Sequence, residues 1–295
     1  MTPLDEWRSA AKFVTLGKYQ FAYWTSGDTS EQSPTLLLIH GFPTSSWDWS
    51  ALWPHLQTDF HVVALDMLGF GLSDKPANHR YSLFEQADFQ EAVMEHLGLS
   101  EAHILAHDYG DTVAQELIAR QNEHQLSFSI KSAVFLNGGL LPSEHRPLLI
   151  QKLAASPLGA LVSAVFTRDK LKASFDEIFG PETKASDGEI AAHWKLITEN
   201  GGRRVMHRLM QYIPERRRHG ERWVAALKDT IIPLRIIIGA EDPISGSHLF
   251  KAYQKELPGS DGVLLENIGH YPHTEAPQRV LDAFEAFHHK HKITR

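Results

Sequence analysis

Three short stretches hold side chains that can do nucleophilic and acid–base chemistry together. His107-Asp108-Tyr109-Gly110 follows the apolar run AHILA and precedes a helical pattern. A strand, a reactive side chain, one residue, a glycine and then a helix is the spacing of a nucleophile elbow, where glycine permits the tight turn that lifts the side chain. Here that side chain is a carboxylate. Gly239-Ala240-Glu241-Asp242-Pro243 and Gly269-His270-Tyr271-Pro272 follow two later apolar runs. Nucleophile, acid and histidine thus come in the order that accompanies such an elbow, 134 and 28 residues apart. A serine attacking a saturated carbon would leave an ether, which water does not readily cleave. A carboxylate leaves an ester, which it does. The residues predict two steps: Asp108 displaces a leaving group from carbon, then His270, oriented by Asp242, activates water against the ester.

Simpler readings compete at each position. Asp108 and Asp111 would both suit a helix start, and Asp242 could be an ordinary turn residue before proline. Asp111 could also raise the pKa of a neighbouring carboxyl. Asn137 ends the preceding strand but is not acidic, so Asp242 is the better orienter. His40 and His107 read as packing residues beside the site.

These stretches need a frame, and the rest of the chain supplies one. Phe13–Trp24 reads as two strands around Gly17. Thr35–His40, His61–Asp66, Ala102–Asp108, Ser132–Gly138, Leu234–Glu241 and Gly262–Glu266 are short apolar runs bounded by turn residues, the pattern of parallel strands buried on both faces. Helical patterns lie between them at Ser45–Leu56, Leu83–Leu97, Thr112–Glu123, Ser247–Glu256 and Pro277–His289. Alternation of this kind predicts an α/β fold with a mostly parallel, doubly wound sheet. It breaks once, after Asn137. We therefore expect a core of residues 1–139 and 229–295, with residues 140–228 inserted as a helical cap over the ligand crevice at the carboxyl edge of the sheet.

Composition narrows the function. The 295 residues carry 29 Lys+Arg against 36 Asp+Glu, a net charge of −7, so no nucleic-acid partner is expected. Cysteine is absent, which removes disulfides, thiolate metal sites and a cysteine nucleophile. The most apolar stretch, Ser156–Phe166, is about half a bilayer span. No secretion signal is visible at the start. The expectation is a cytoplasmic protein without a membrane partner. Zinc-protease, EF-hand and Walker patterns are missing, so neither metal nor cofactor is expected, and the partner is a small-molecule substrate. Glu215–Arg222 reads as a solvated charged face, and His288–Lys292 as a fraying tail.

The chain resembles the α/β-hydrolase superfamily over nearly its whole length. The resemblance rests on His40-Gly41-Phe42-Pro43, on Asp66–Pro76, on the Asp108 elbow, and on Asp242-Pro243 and Gly269-His270. It looks like the aspartate-nucleophile branch, which includes epoxide hydrolases and haloalkane dehalogenases. The run His107–Leu117 is similar to the mesoderm-specific transcript homologue group. The resemblance implies an oxyanion hole from the backbone N–H groups of Phe42 and Tyr109.

The leaving group divides the branch. Dehalogenases bind the departing halide with a Trp directly after the nucleophile, plus an Asn in the first loop or a second Trp. Tyr109 and Phe42 stand there instead, although Pro43-Thr44-Ser45-Ser46 looks dehalogenase-like. Epoxide hydrolases donate to the epoxide oxygen from two cap tyrosines. This cap has one, Tyr212, with Trp194 a candidate second contact. Fluoroacetate-type enzymes carry arginines just after the nucleophile, and this chain does not. The sequence reading is therefore an epoxide hydrolase, with a haloalkane dehalogenase of atypical halide site or a non-catalytic binding scaffold as alternatives.

Overall fold

The computed structural model describes residues 1–26 and 33–292. Eight strands form one sheet: β1 (Lys12–Leu16), β2 (Tyr19–Thr25), β3 (Thr35–Ile39), β4 (His61–Leu65), β5 (Glu101–His107), β6 (Ser129–Leu136), β7 (Leu234–Gly239) and β8 (Asp261–Leu265). Their spatial order is β1-β2-β4-β3-β5-β6-β7-β8. Pairings β1–β2 and β2–β4 are antiparallel, and all later ones are parallel.

Burial follows from the apolar runs. Every residue of β3 and β4 is buried, because helices cover both faces. Leu37, Ile39, Val63 and Leu65 join one core, with helices Leu83–His96 and Tyr109–Asn122. Leu36, Leu38, Val62 and Ala64 join the other, with helices Trp53–Asp59 and Pro277–Lys290. The two-residue period of a strand sorts neighbours onto opposite faces.

Two expected elements differ. The single helix expected over Ser45–Leu56 is a 3₁₀ segment, Ser46–Ala51, followed by a new α-helix over Trp53–Asp59. Pro54 has no N–H to continue the first helix and fits the opening turn of a second. The helix after the elbow begins at Tyr109 rather than Thr112.

Between β6 and β7 the described residues form helices only, from Leu149–Ala154 through Tyr212–Asp229. Lys75 fastens this insert to the core. Its Nζ donates to the Gly71, Leu196 and Glu199 carbonyls at 2.5, 3.1 and 2.9 Å. The last insert helix lies along Tyr109–Asn122, where Gln115 and Asn122 donate to the Trp223 and Ala226 carbonyls.

Two surface expectations are corrected here. Within the charged run, Arg217 and Arg218 are exposed, but Arg216 is only 1 % exposed. Glu215 accepts from Ser82 Oγ and Leu83 N at the start of helix Leu83–His96. A helix that lies between insert and core must present some of its charges inward. In the tail, His288 is buried, its ring 4.0 Å from that of Phe284, so it belongs to the core rather than to a fraying end.

Candidate active site

The three motif residues converge at the carboxyl ends of β5, β7 and β8. Asp108 sits between β5 and its helix with φ 48° and ψ −105°. A non-glycine residue held there stores roughly 1–3 kcal/mol of backbone strain. Two glycines make the turn possible. A Cβ on Gly110 would stand 2.2 Å from the Ile39 carbonyl oxygen, and one on Gly41 would stand 2.7 Å from His107 Nδ1. Larger residues at either place would push the elbow away from the first loop.

His270 lies between two carboxylates. Its Nδ1 donates to Asp242 Oδ2 at 2.7 Å, and its Nε2 is 3.9 Å from Asp108 Oδ1. Phe42 N donates to Asp108 Oδ2 at 3.1 Å. The two oxygens of Asp108 thus face different partners, one the histidine and one the first loop. Burial opposes the charged imidazole, but Asp242 and Asp108 outweigh it and lift the His270 pKa to about 9. Burial also works against the Asp242 anion. His270, Asn137 and the Ile244 N–H overcome it and hold the pKa below the usual carboxylate range.

Several further residues support the site, and of these Ser245 and Glu275 were not singled out from the sequence. Asn137 takes the Gly239 N–H at 2.7 Å and donates to Asp242 Oδ2 at 3.0 Å. Ser245 donates to the same oxygen at 2.7 Å. Glu275 accepts from Gly269 N, Tyr271 N and Gly180 N at 2.8, 2.9 and 2.8 Å, pinning both sides of the histidine loop. The signal was present: a glutamate five residues after the histidine, within the turn that presents it.

His40 and His107 act as supports. His40 Nδ1 donates to the Gly41 carbonyl while Nε2 accepts from Met67 N, locking one tautomer. His107 Nε2 donates to the His270 carbonyl at 2.8 Å. Asp111 is fully buried rather than capping the helix in water. Burial first, and the Asp108 charge second, push its carboxyl well above the usual range. Beside it the Arg216 guanidinium donates to Thr112 Oγ1 at 2.9 Å and to the Asp108 carbonyl at 3.3 Å.

Tyr212 is brought to the site and Trp194 is not. The Tyr212 ring lies 5.1 Å from Tyr109 and 6.1 Å from Phe42. Burial and the Asp108 charge raise its pKa, so the phenol stays protonated. The Arg216 guanidinium lies over the same ring at 4.8 Å. His145, which the sequence did not flag, is 6.4 Å from Tyr212; burial, then the Arg216 charge, depress its pKa to about 2, keeping it neutral. Trp194 packs against Phe166 at 5.9 Å and is absent from the lining of the cavity beside His270.

That cavity is apolar, about 70 Å³ in volume. Phe42, Pro43, Ile244 and His270 border it from the core. Leu148, Ile150, Val162, Phe166, Phe175, Met206 and Met210 border it from the insert. Such a space accepts a slender apolar group and offers few polar contacts to fix one. Among the described residues, Asp48, His107 and His273 bring ligand atoms within 4.8 Å of one another and are the group that could hold a metal.

Comparison with known proteins agrees with this architecture. Residues 34–277 match the α/β-hydrolase fold family. The mesoderm-specific transcript homolog protein of Bos taurus is 42% identical over 294 residues, covering 96% of this chain and 87% of the relative. A haloalkane dehalogenase variant from Bradyrhizobium elkanii superposes with a TM-score of 0.79 at 21% identity, covering 96% of both chains. The epoxide hydrolase CorEH superposes at 0.73 and 24% identity, covering 95% of this chain and 98% of the other. The chain belongs to the α/β-hydrolase fold family, within the group of the mesoderm-specific transcript homologues.

Proposed function

We propose that this hydrolase opens epoxides through a covalent ester on Asp108. One carboxylate oxygen attacks an epoxide carbon, and the ring C–O bond breaks. The alkoxide takes the Tyr212 phenolic proton. His270 then draws a proton from water as the water attacks Asp108 Cγ. The tetrahedral oxyanion is held by the N–H groups of Phe42 and Tyr109. Collapse breaks the bond between acyl carbon and alkyl oxygen. The departing alkoxide takes the proton that His270 drew from water, the Asp108 carboxylic acid so formed gives its proton back to the Tyr212 phenolate, and a vicinal diol leaves.

The geometry also suggests how the histidine changes role. Before attack, the Asp108 charge helps keep His270 protonated. Alkylation removes that charge, so the imidazole loses its proton more easily when a base is needed. Asp242 keeps Nδ1 as the donor throughout.

The observation favouring an epoxide is Tyr212. Its ring stands beside Tyr109 and Phe42, and it lies close enough to Asp108 for that charge to raise its pKa. A halide would want N–H donors from side chains at positions 42 and 109, and Phe42 and Tyr109 supply none. The relatives in fold include an epoxide hydrolase and a haloalkane dehalogenase, so both substrates belong in one test. His270→Gln is incubated with terminal epoxides and with haloalkanes, and the intact protein is weighed. The reading expects a mass increase of one epoxide, located on Asp108. Adducts from haloalkanes alone would reassign the enzyme as a dehalogenase. No adduct from either, with no turnover by the native protein, would remove the chemistry. Tyr212→Phe should slow epoxide opening about a hundredfold.

A further inference from the structure

The insert begins with a helical hairpin, Leu149–Ala154 and Gly159–Ala164. Its inner side borders the apolar cavity through Leu148, Ile150, Ala154, Val162 and Phe166. Its outer side is apolar too. Leu149 is 73 % exposed, Leu153 40 %, Leu158 60 %, Leu161 64 % and Val165 49 %. Only three other large apolar side chains among the described residues are comparably exposed, Met1, Phe13 and Ile231. Scattered exposed leucines are ordinary, but a cluster on one short hairpin marks a contact surface. A surface helix turns its polar face outward; this hairpin has an apolar face on each side.

Charge tells what the surface meets. The chain is acidic, at −7. Yet residues 146–170 carry Arg146, Lys152, Arg168 and Lys170 against the single acid Asp169, and all four cations are exposed. Exposed leucines with exposed lysine and arginine close by in the chain suit a layer of anionic headgroups over acyl chains. The acidic remainder of the molecule would be repelled from that layer, which fixes which side faces it. A second copy fits worse, because a two-fold contact would set these cations against themselves. We propose that the outer face of the Leu149–Ala154/Gly159–Ala164 hairpin docks this protein on an anionic lipid surface. The contact is peripheral, since no helix among the described residues is long and apolar enough to cross a membrane. It departs from the sequence expectation of no membrane partner. Because the inner side of the same hairpin borders the cavity, an apolar substrate dissolved in the lipid would reach His270 after crossing one hairpin. That last step rests on the proposed hydrolase reading, whereas the docking does not.

Flotation with vesicles separates the two. The full chain is mixed with phosphatidylcholine vesicles, with and without phosphatidylglycerol. It should float with the anionic vesicles and mostly stay behind with the neutral ones. Leu158→Asp combined with Leu161→Asp changes exposed positions only. It should cut the bound fraction about tenfold or more, with an unchanged circular dichroism spectrum and unchanged turnover of a water-soluble substrate. Lys152→Glu with Lys170→Glu should weaken anionic binding alone. Asp108→Asn should float like the native chain, so a failure of the chemistry leaves the docking result readable. Native protein that stays in solution with both vesicles overturns the proposal. So does a leucine variant that floats equally well, or a concentration-dependent dimer, lost in that variant, with no vesicle binding.

Discussion

Two loops offer a carboxylate to His270, and they hold it in opposite ways. After β7, Asp242 receives the imidazole, Asn137, Ser245 and the Ile244 N–H. After β5, Asp108 receives one backbone N–H, that of Phe42, on a residue whose own backbone is strained. One carboxylate is saturated, so it is fixed, anionic and a poor nucleophile. The other keeps an oxygen free of donors and stands on a turn that pushes it outward. The same residue type serves two purposes, and the difference lies in how many donors reach each oxygen.

The sharpest way to break this contrast is to remove the free carboxylate. Asp108→Asn keeps size and elbow shape but cannot form the ester. Turnover should fall by about 10⁴-fold or more, measured as diol release, with the melting temperature nearly unchanged. A variant that retains a tenth of native turnover would show that Asp108 is not the nucleophile.

Removing the saturated carboxylate should cost somewhat less. Asp242→Asn leaves Nδ1 facing an amide that can present its NH₂ group, which favours the wrong imidazole tautomer. The expected loss in kcat is about 10³–10⁴-fold. It should fall on hydrolysis of the ester rather than its formation, so the alkyl-enzyme should accumulate and be visible by mass. Equal loss in both steps would mean that Asp242 acts on Asp108 as well as on His270.

Both carboxylates also raise the His270 pKa, and that gives a stability signature. The folded value is about 9, against about 6.5 for a free imidazole. A raised pKa contributes stability that is full below pH 6.5 and is lost as pH climbs through 9. The difference corresponds to about 3 kcal/mol. Denaturant midpoints should therefore fall from pH 6.5 to 9 in the native chain, and much less in His270→Gln. A slope that survives in His270→Gln would assign it to another group, with Lys75, depressed by burial to about 8, the wrong sign to explain it.

The legibility of this site tracks sequence distance. Asp108, Asp242 and His270 each follow an apolar run directly, so strand pattern and turn chemistry place all three at strand ends. The sheet was readable for the same reason: a strand buried on both faces is a local apolar run. Supports reached from elsewhere were not readable. Arg216 looks like one of three adjacent arginines, and only helix packing decides which one turns under the elbow. Trp194 looked like a cavity residue, but rotation of its helix set it against Phe166. Glu275 and Asn137 sat beside motifs, yet their value depends on which N–H groups the neighbouring loops aim at them.

Asn137 offers the smallest and most discriminating test of the comparison. It directly follows β6, where an acid could have stood, and it joins Gly239 to Asp242. It has positive φ, 41°, which asparagine tolerates better than most residues. If donors fix Asp242, then removing one of several should loosen it without neutralising it. A hydrogen bond to a charged group is worth about 1.5–3 kcal/mol. Asn137→Ala should thus lower kcat about tenfold, leave KM nearly unchanged and move the acid limb of the pH profile upward, because the Asp242 anion loses a donor. Ser245→Ala, which removes another donor to the same oxygen, should do likewise. The double variant should cost less than the product of the two, since either loss frees the same oxygen to rotate. Strict additivity would mean the two donors brace different motions, and Asp242 would then be held less as a unit than its hydrogen bonds suggest.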